Sequence, residues 1–192
     1  MPRSTPSATQ ILDKALDLAD VCGWERLHLH EVADALGCDL AAIARHYRQK
    51  DDLVEAWFDR ADQALLARAK AADLAMLTAE KRLEELLIAW LGALAPHRAV
   101  TGQMLLYKLE PGHVHLQVGG LLRVSRTVQW WREAARRQNL HLSRIAEESL
   151  LTGAYLRTFV HWLRHAEEDP ADLRALLRRQ LRRAPLGWLL RG

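Results

Sequence analysis

The sequence predicts an all-α fold of about nine helices. Leu, Ala, Arg and Glu dominate it, whereas Val, Ile, Thr, Tyr and Phe are few, a balance that favours helix over strand. Apolar residues recur at three- and four-residue steps, and alternating period-2 runs are absent. Proline stays out of the periodic segments. With 192 residues, 49% of them hydrophobic and 27% charged, the chain can bury one large or two small helical domains.

Ser7 and Gln10 have capping-box spacing, and Ile11, Leu12, Ala15, Leu16, Leu18 and Ala19 then form an apolar stripe that Gly23 ends. Trp24 and Leu27 are predicted to wedge under a second helix whose inner face is Leu29, Val32, Ala33 and Leu36. Gly37 supplies a turn that needs positive φ. Asp39 caps a third helix, predicted from Leu40 to about Tyr47. A long helix follows from Asp51 to about Ala72, with Asp51 and Asp52 in its first turn, where the helix dipole favours them. Further helices are predicted over Glu80–Ala95, Arg98–Leu109, Val114–Gln138, Ser143–Glu168 and Pro170–Arg183, punctuated by Pro96, Pro111-Gly112, Asn139 and Asp169-Pro170. The division is a head at 1–50 and a larger body at 51–192.

Composition excludes several classes. The first residues lack an apolar signal core, and no apolar run is long enough to span a bilayer. The two cysteines, Cys22 and Cys38, have no metal-binding spacing. A cytoplasmic chain with reduced, buried thiols is expected. No nucleophile elbow, phosphate loop or cysteine–histidine signature appears, and no enzyme is expected. His113-x-His115 and His161-x-x-x-His165 invite a metal reading, and the second pair shares a helix face. Neither pair has a third ligand evident in sequence, so both read as titrating polar groups, with no metal and no cofactor.

The run from Gln10 to Leu53 (helix, glycine turn, capped helix, new helix start) has the order of a helix-turn-helix, which places its second helix in the DNA major groove. Val32-Ala33-Asp34-Ala35-Leu36-Gly37-Cys38-Asp39, Ile43, Tyr47 and Lys50-Asp51-x-Leu53 resemble the N-terminal motif of the TetR family of bacterial transcriptional regulators. The motif covers about a quarter of the chain, and the remainder matches in helix number and length. The resemblance implies a homodimer, with the last two long helices forming a four-helix interface, and a variable ligand-binding body. It also implies DNA-contacting positions at Leu40, Ala41, Ala42, Arg45, His46, Arg48 and Lys50, with Lys50 at a phosphate position and Tyr47 in the core. Four positions depart from the family pattern. Ala41-Ala42 replace Gly-Thr, Ala44 replaces a phosphate-contacting Tyr, and His46 stands at a second aromatic position.

Charge is unevenly spread. Residues 1–50 carry a net −1, residues 51–119 a net −3 and residues 120–192 a net +7. The phosphate-neutralising charge expected of a DNA reader is therefore thin at the head.

In the body, Trp90, Trp130, Trp131 and Trp162, with Met104, Tyr107, Tyr155 and Phe159, are the predicted lining for a small apolar or aromatic ligand; the same residues suit core packing. Leu150, Gly153, Ala154, Arg157, Leu173 and Leu177 are predicted at the dimer interface, with small residues permitting close helix approach. The arginine-rich last helix, followed by Pro185-Leu186-Gly187-Trp188-Leu189-Leu190, is a solvated basic face or, less expected, a membrane-surface tail. Two functions follow, of which the first is expected because the motif is specific while the charge argument is only statistical. One is an operator-binding repressor released by the ligand. The other is a lipid- or isoprenoid-binding accessory protein with degenerate DNA reading, similar to the TetR-like accessory proteins of coenzyme Q biosynthesis.

Overall fold

The structure, a computed structural model, describes residues 5–108, 114–139 and 141–183; of 114–116 it describes the backbone alone. Expectations for the first four residues, Pro111-Gly112, His113 and the His115 side chain, and the 185–190 tail lie outside the described residues. Every described element is helical: α1 Ala8–Cys22, α2 Leu29–Ala35, α3 Leu40–Ala44, α4 Lys50–Ala69, α5 Ala72–Ala75, α6 Ala79–Leu94, a 3-10 turn at Ala95–His97, α7 Arg98–Lys108, α8 Val114–Ala134, α9 His141–Arg164 and α10 Pro170–Arg182. The nine expected helices are present, and α5 adds a single turn.

The caps explain most boundaries. Ser7 Oγ accepts from the Gln10 amide while Gln10 Oε1 accepts from the Ser7 amide, the reciprocal pair that satisfies two orphan donors. Gly23 and Gly37 take φ of +86° and +65°, a region closed to most side chains. Asp39 Oδ1 accepts from the Ala42 amide at 2.8 Å. Four helices stop at least three residues earlier than periodicity suggests, among them α4, which ends at Ala69. α3 ends at Ala44 because its last turn tightens, with the His46 and Tyr47 amides both on the Ile43 carbonyl. α8 ends at Ala134, just before Arg136 turns to φ +56°. α9 ends at Arg164, where 165–168 form a corner that Asp169 closes by capping α10 through the Ala171 amide at 2.7 Å.

The described residues form two compact units, one from Met1–Arg60 with Pro96–Gln117, the other from Ala61–Ala95 with Val118–Gly192. The first is larger than the 1–50 head because the start of α4 and all of α7 pack into it. Ile11, Leu16, Trp24, Val32, Ile43, Leu53, Trp57 and Met104 are its buried core. Gln103 Oε1 accepts from the Trp24 amide at 2.6 Å, and the Trp57 indole donates to Thr101 at 2.8 Å. Lys108, 3% exposed, ends α7 between Asp51 (2.8 Å) and Glu55 (2.9 Å). Burial alone would depress its ammonium; the two carboxylates outweigh that and hold it above its ordinary value. Cys22 and Cys38 are free and half-buried rather than buried.

In the second unit α6, α8, α9 and α10 enclose Leu83, Leu87, Trp90, Trp131, Leu151, Leu177 and Leu181. Ion pairs join the helices. Glu147, fully buried on α9, accepts from Arg132 (2.9 Å) and Arg137 (2.6 Å). Arg174 on α10 reaches Glu85 (2.5 Å) and Glu84 (3.3 Å) on α6, and Arg182 reaches Glu80 (2.7 Å).

Candidate nucleic-acid interface

α3 is short and two of its residues face inward. Ala42 and Ile43 are buried beneath Asp39's cap, so Ala42, expected among the DNA contacts, belongs to the head's core. Leu40 (51% exposed), Ala41, Ala44, Arg45 and His46 face outward, as does Arg48 just beyond. Arg45 folds back on its own helix, Nε to the Ala41 carbonyl at 3.4 Å. Its guanidinium thus sits on the exposed corner with His46 and Arg48.

Tyr47 is core, as expected. Its ring is buried, and its hydroxyl donates to the Ala8 carbonyl at 2.9 Å, fixing the turn after α3 to the start of α1. Burial, opposed by Arg60 and aided by Asp13, raises its phenol above the usual range.

Lys50 departs from expectation. Its Nζ donates to the Trp24 carbonyl (2.5 Å) and the Glu25 carbonyl (3.0 Å), and lies 5.0 Å from the Trp24 ring centroid and 5.9 Å from that of Tyr107. Burial lowers its ammonium below the ordinary value, although Cys22, Glu25 and Glu31 oppose this. Lys50 therefore ties the start of α4 to the chain leaving α1, and Arg48, with Arg45 and His46, faces outward at this corner. The Arg48 and Gln49 amides are also occupied, both donating to Asp52 Oδ2 (2.7 and 3.2 Å). These two amides are therefore committed to the start of α4 and not offered to an anion.

The expected ligand lining divides. Met104 and Tyr107 lie in the first unit, where Met104 is buried core. Trp130, 45% exposed, faces outward from α8. Trp90, Tyr155, Phe159 and Trp162 do come together. Trp90 meets Tyr155 and Phe159 edge-on at 5.3 Å, and Phe159 stacks on Trp162 at 5.9 Å. Trp131 is buried separately, its indole donating to the Leu83 carbonyl at 2.8 Å.

Beside the aromatic cluster lies a buried polar network that sequence reasoning missed. Asp62 accepts from the Trp90 indole (2.8 Å), Thr127 (3.0 Å) and Arg123 (2.7 Å). Burial and the Asp62 charge raise the Tyr155 phenol far above its ordinary value, with Arg123 opposing. A signal was available, since Asp62 follows Phe58 and Ala61 and precedes Leu65 on a buried stripe. A carboxylate there requires partners.

Of the expected interface residues, Ala154 and Leu177 fill the protomer's own interior. Leu150, Gly153 and Leu173 are half-buried and Arg157 is exposed. The outward face of α9 carries Leu142, Ile145, Ser149, Gly153, Leu156 and Val160 at steps of three and four, with all four large apolar members exposed.

A three-helix head with an outward second helix of its turn, attached through α4 to a second all-helical unit, defines a helix-turn-helix regulator. No protein-family model and no curated protein matches the chain at a significant level. Among solved structures, it is similar to a TetR transcriptional regulator from Nitrosomonas europaea ATCC 19718, at 42% identity and TM-score 0.82, over 94% of this chain and 98% of that one. A bacterial regulatory protein in the TetR family from Rhodococcus RHA1 aligns at 21% identity and TM-score 0.47, over 96% of this chain and 95% of that one. On the first of these, the chain belongs to the TetR family of transcriptional regulators. None of the described helices is long and apolar enough to cross a membrane.

Proposed function

We propose that the chain is a homodimeric repressor that binds operator DNA through α3 and releases it when a small apolar or aromatic ligand occupies the body. The exposed Arg45–His46–Arg48 corner on a TetR head carries the reading. Arg45 and His46 read base edges, and Arg48 contacts phosphate. Leu40, Ala41 and Ala44 offer methyl groups to thymine methyls. Dimerisation through α9 sets two heads at successive major grooves, and ligand acts by preferring a state in which that spacing is lost. The Trp90–Tyr155–Phe159–Trp162 cluster is the part of the body we assign to ligand recognition.

A gel shift in a salt series against the chain's own upstream DNA tests this. Saturable binding that survives competitor DNA and weakens in Arg45→Ala supports the reading; absence of specific binding at low salt overturns it for that operator. The near-neutral head, with its net −1 over residues 1–50, favours the lipid-binding alternative. Failure of the gel shift together with co-purifying lipid selects it.

A further inference from the structure

The corner between α9 and α10 brings together three side chains that the sequence presents only as a pair and a distant acid. His161 lies in the last turn of α9, His165 just past its end, and Glu168 in the turn before α10. Their ligand atoms, two imidazole nitrogens and a carboxylate oxygen, all lie within 4.8 Å of one another. The His161 and His165 rings are nearly parallel at 4.1 Å between centroids, and His161 Nε2 contacts Glu168 Oε2 directly. His161 and Glu168 are about three-quarters and two-thirds withdrawn from solvent, with side-chain exposures of 26% and 30%.

We propose that His161, His165 and Glu168 bind a divalent transition-metal ion of the zinc type. Two imidazoles and one carboxylate suit zinc and its neighbours and leave one position for water. Calcium and magnesium demand oxygen-rich shells and are poorly served by this set. Tetrahedral zinc with these donors separates its ligands by about 3.3–3.5 Å, so small rotamer adjustments close the present spacing. The histidine orientation is already fixed. His165 Nδ1 lies 2.9 Å from the His161 carbonyl; a carbonyl only accepts, so Nδ1 holds the proton and Nε2 presents the lone pair. That outer hydrogen bond is the usual support of a metal-bound imidazole. Glu168 is held next to Asp169, whose carboxylate caps α10. A bound ion therefore clips the end of α9 to the start of α10. The assignment does not depend on the proposed DNA or ligand activity.

The test is zinc titration of the full-length, tag-free, chelator-stripped protein in competition with a chromophoric chelator. Near-stoichiometric binding of one ion per chain at low-micromolar affinity or tighter, undisturbed by millimolar magnesium, is expected. Glu168→Gln and His165→Ala, both at an exposed corner where the fold tolerates change, each weaken binding at least tenfold with unchanged circular dichroism. His28→Ala with His30→Ala, at a stacked pair elsewhere, leaves it unchanged. Cobalt in place of zinc gives the visible absorption of a low-coordinate nitrogen–oxygen site in the wild type and loses it in the double variant. No zinc binding in the micromolar range, binding unaltered by the Glu168→Gln/His165→Ala double substitution, or displacement by magnesium overturns the assignment.

Discussion

Two basic side chains two residues apart at the edge of the head have opposite fates. Lys50 spends its ammonium on the carbonyls of Trp24 and Glu25, whereas Arg48 faces outward. If the corner contacts DNA, Arg48→Ala lowers the slope of log affinity against log salt by about one phosphate's worth. Lys50→Ala leaves that slope alone and instead lowers the head's stability to urea. A slope change in Lys50→Ala with unchanged unfolding reverses the two roles. Asp62 is the second decisive residue. Three donors converge on its buried carboxylate, so Asp62→Ala leaves the Arg123 charge buried without it and costs about 3–5 kcal/mol. Urea unfolding measures the loss, and tryptophan emission should shift as Trp90 loses its acceptor. A change below about 1 kcal/mol, the scale of a single neutral hydrogen bond, means that the network contributes little.

At the scale of elements, local chemistry was legible and long-range chemistry was not. The Ser7–Gln10 capping box, the positive φ at Gly37 and the Asp39 cap are each set by residues within three positions, which sequence displays directly. The Lys50 tie spans 26 residues, and Asp62 meets Arg123 across 61. Spacing carries no trace of such meetings. Glu168 escaped as a third ligand because an i, i+7 step reads as helix, whereas the chain bends at the end of α9 and turns the acid back. Lys108, joining α7 to α4, shows how one such contact governs pH response. Its ammonium holds its proton above the ordinary lysine value of 10.5. The associated stability is complete below that pH and is lost as pH rises through the raised folded value. Tyr47 and Tyr155, also raised, lose stability in the same direction, so the comparison must be between chains. Lys108→Met should be less stable than wild type at pH 8, and the gap should narrow as pH climbs above about 10.5. Denaturation midpoints across pH 8–12 read this out; a constant gap means that Lys108 acts through packing rather than charge.

At the scale of the whole molecule, the exposed apolar stripe on α9 calls for a partner surface. Leu142, Ile145, Leu156 and Val160 are exposed on one face, with Gly153 and Ser149 between them. The small residues let another helix approach closely, and the large ones flank that approach. A second copy of the same helix satisfies this pattern, because in a two-fold interface each residue is used twice and the patch must complement itself. Leu156 lies three residues from Gly153, so a charge placed there meets its own image or its near neighbours across the axis. Leu156→Arg is therefore expected to give a monomer at micromolar concentration in sedimentation experiments. Circular dichroism should be unchanged, since Leu156 points away from the protomer core. Ala154→Gly, on the buried side of α9, should instead lower thermal stability while keeping the dimer. The contrast separates a face used between copies from one used within a copy. In the gel shift the Leu156→Arg monomer should lose most operator affinity even though Arg45, His46 and Arg48 are untouched, because one head alone reaches only one half-site. Retention of a dimer by Leu156→Arg places the partner surface elsewhere, with the exposed Leu121, Leu122 and Trp130 of α8 the next face to alter.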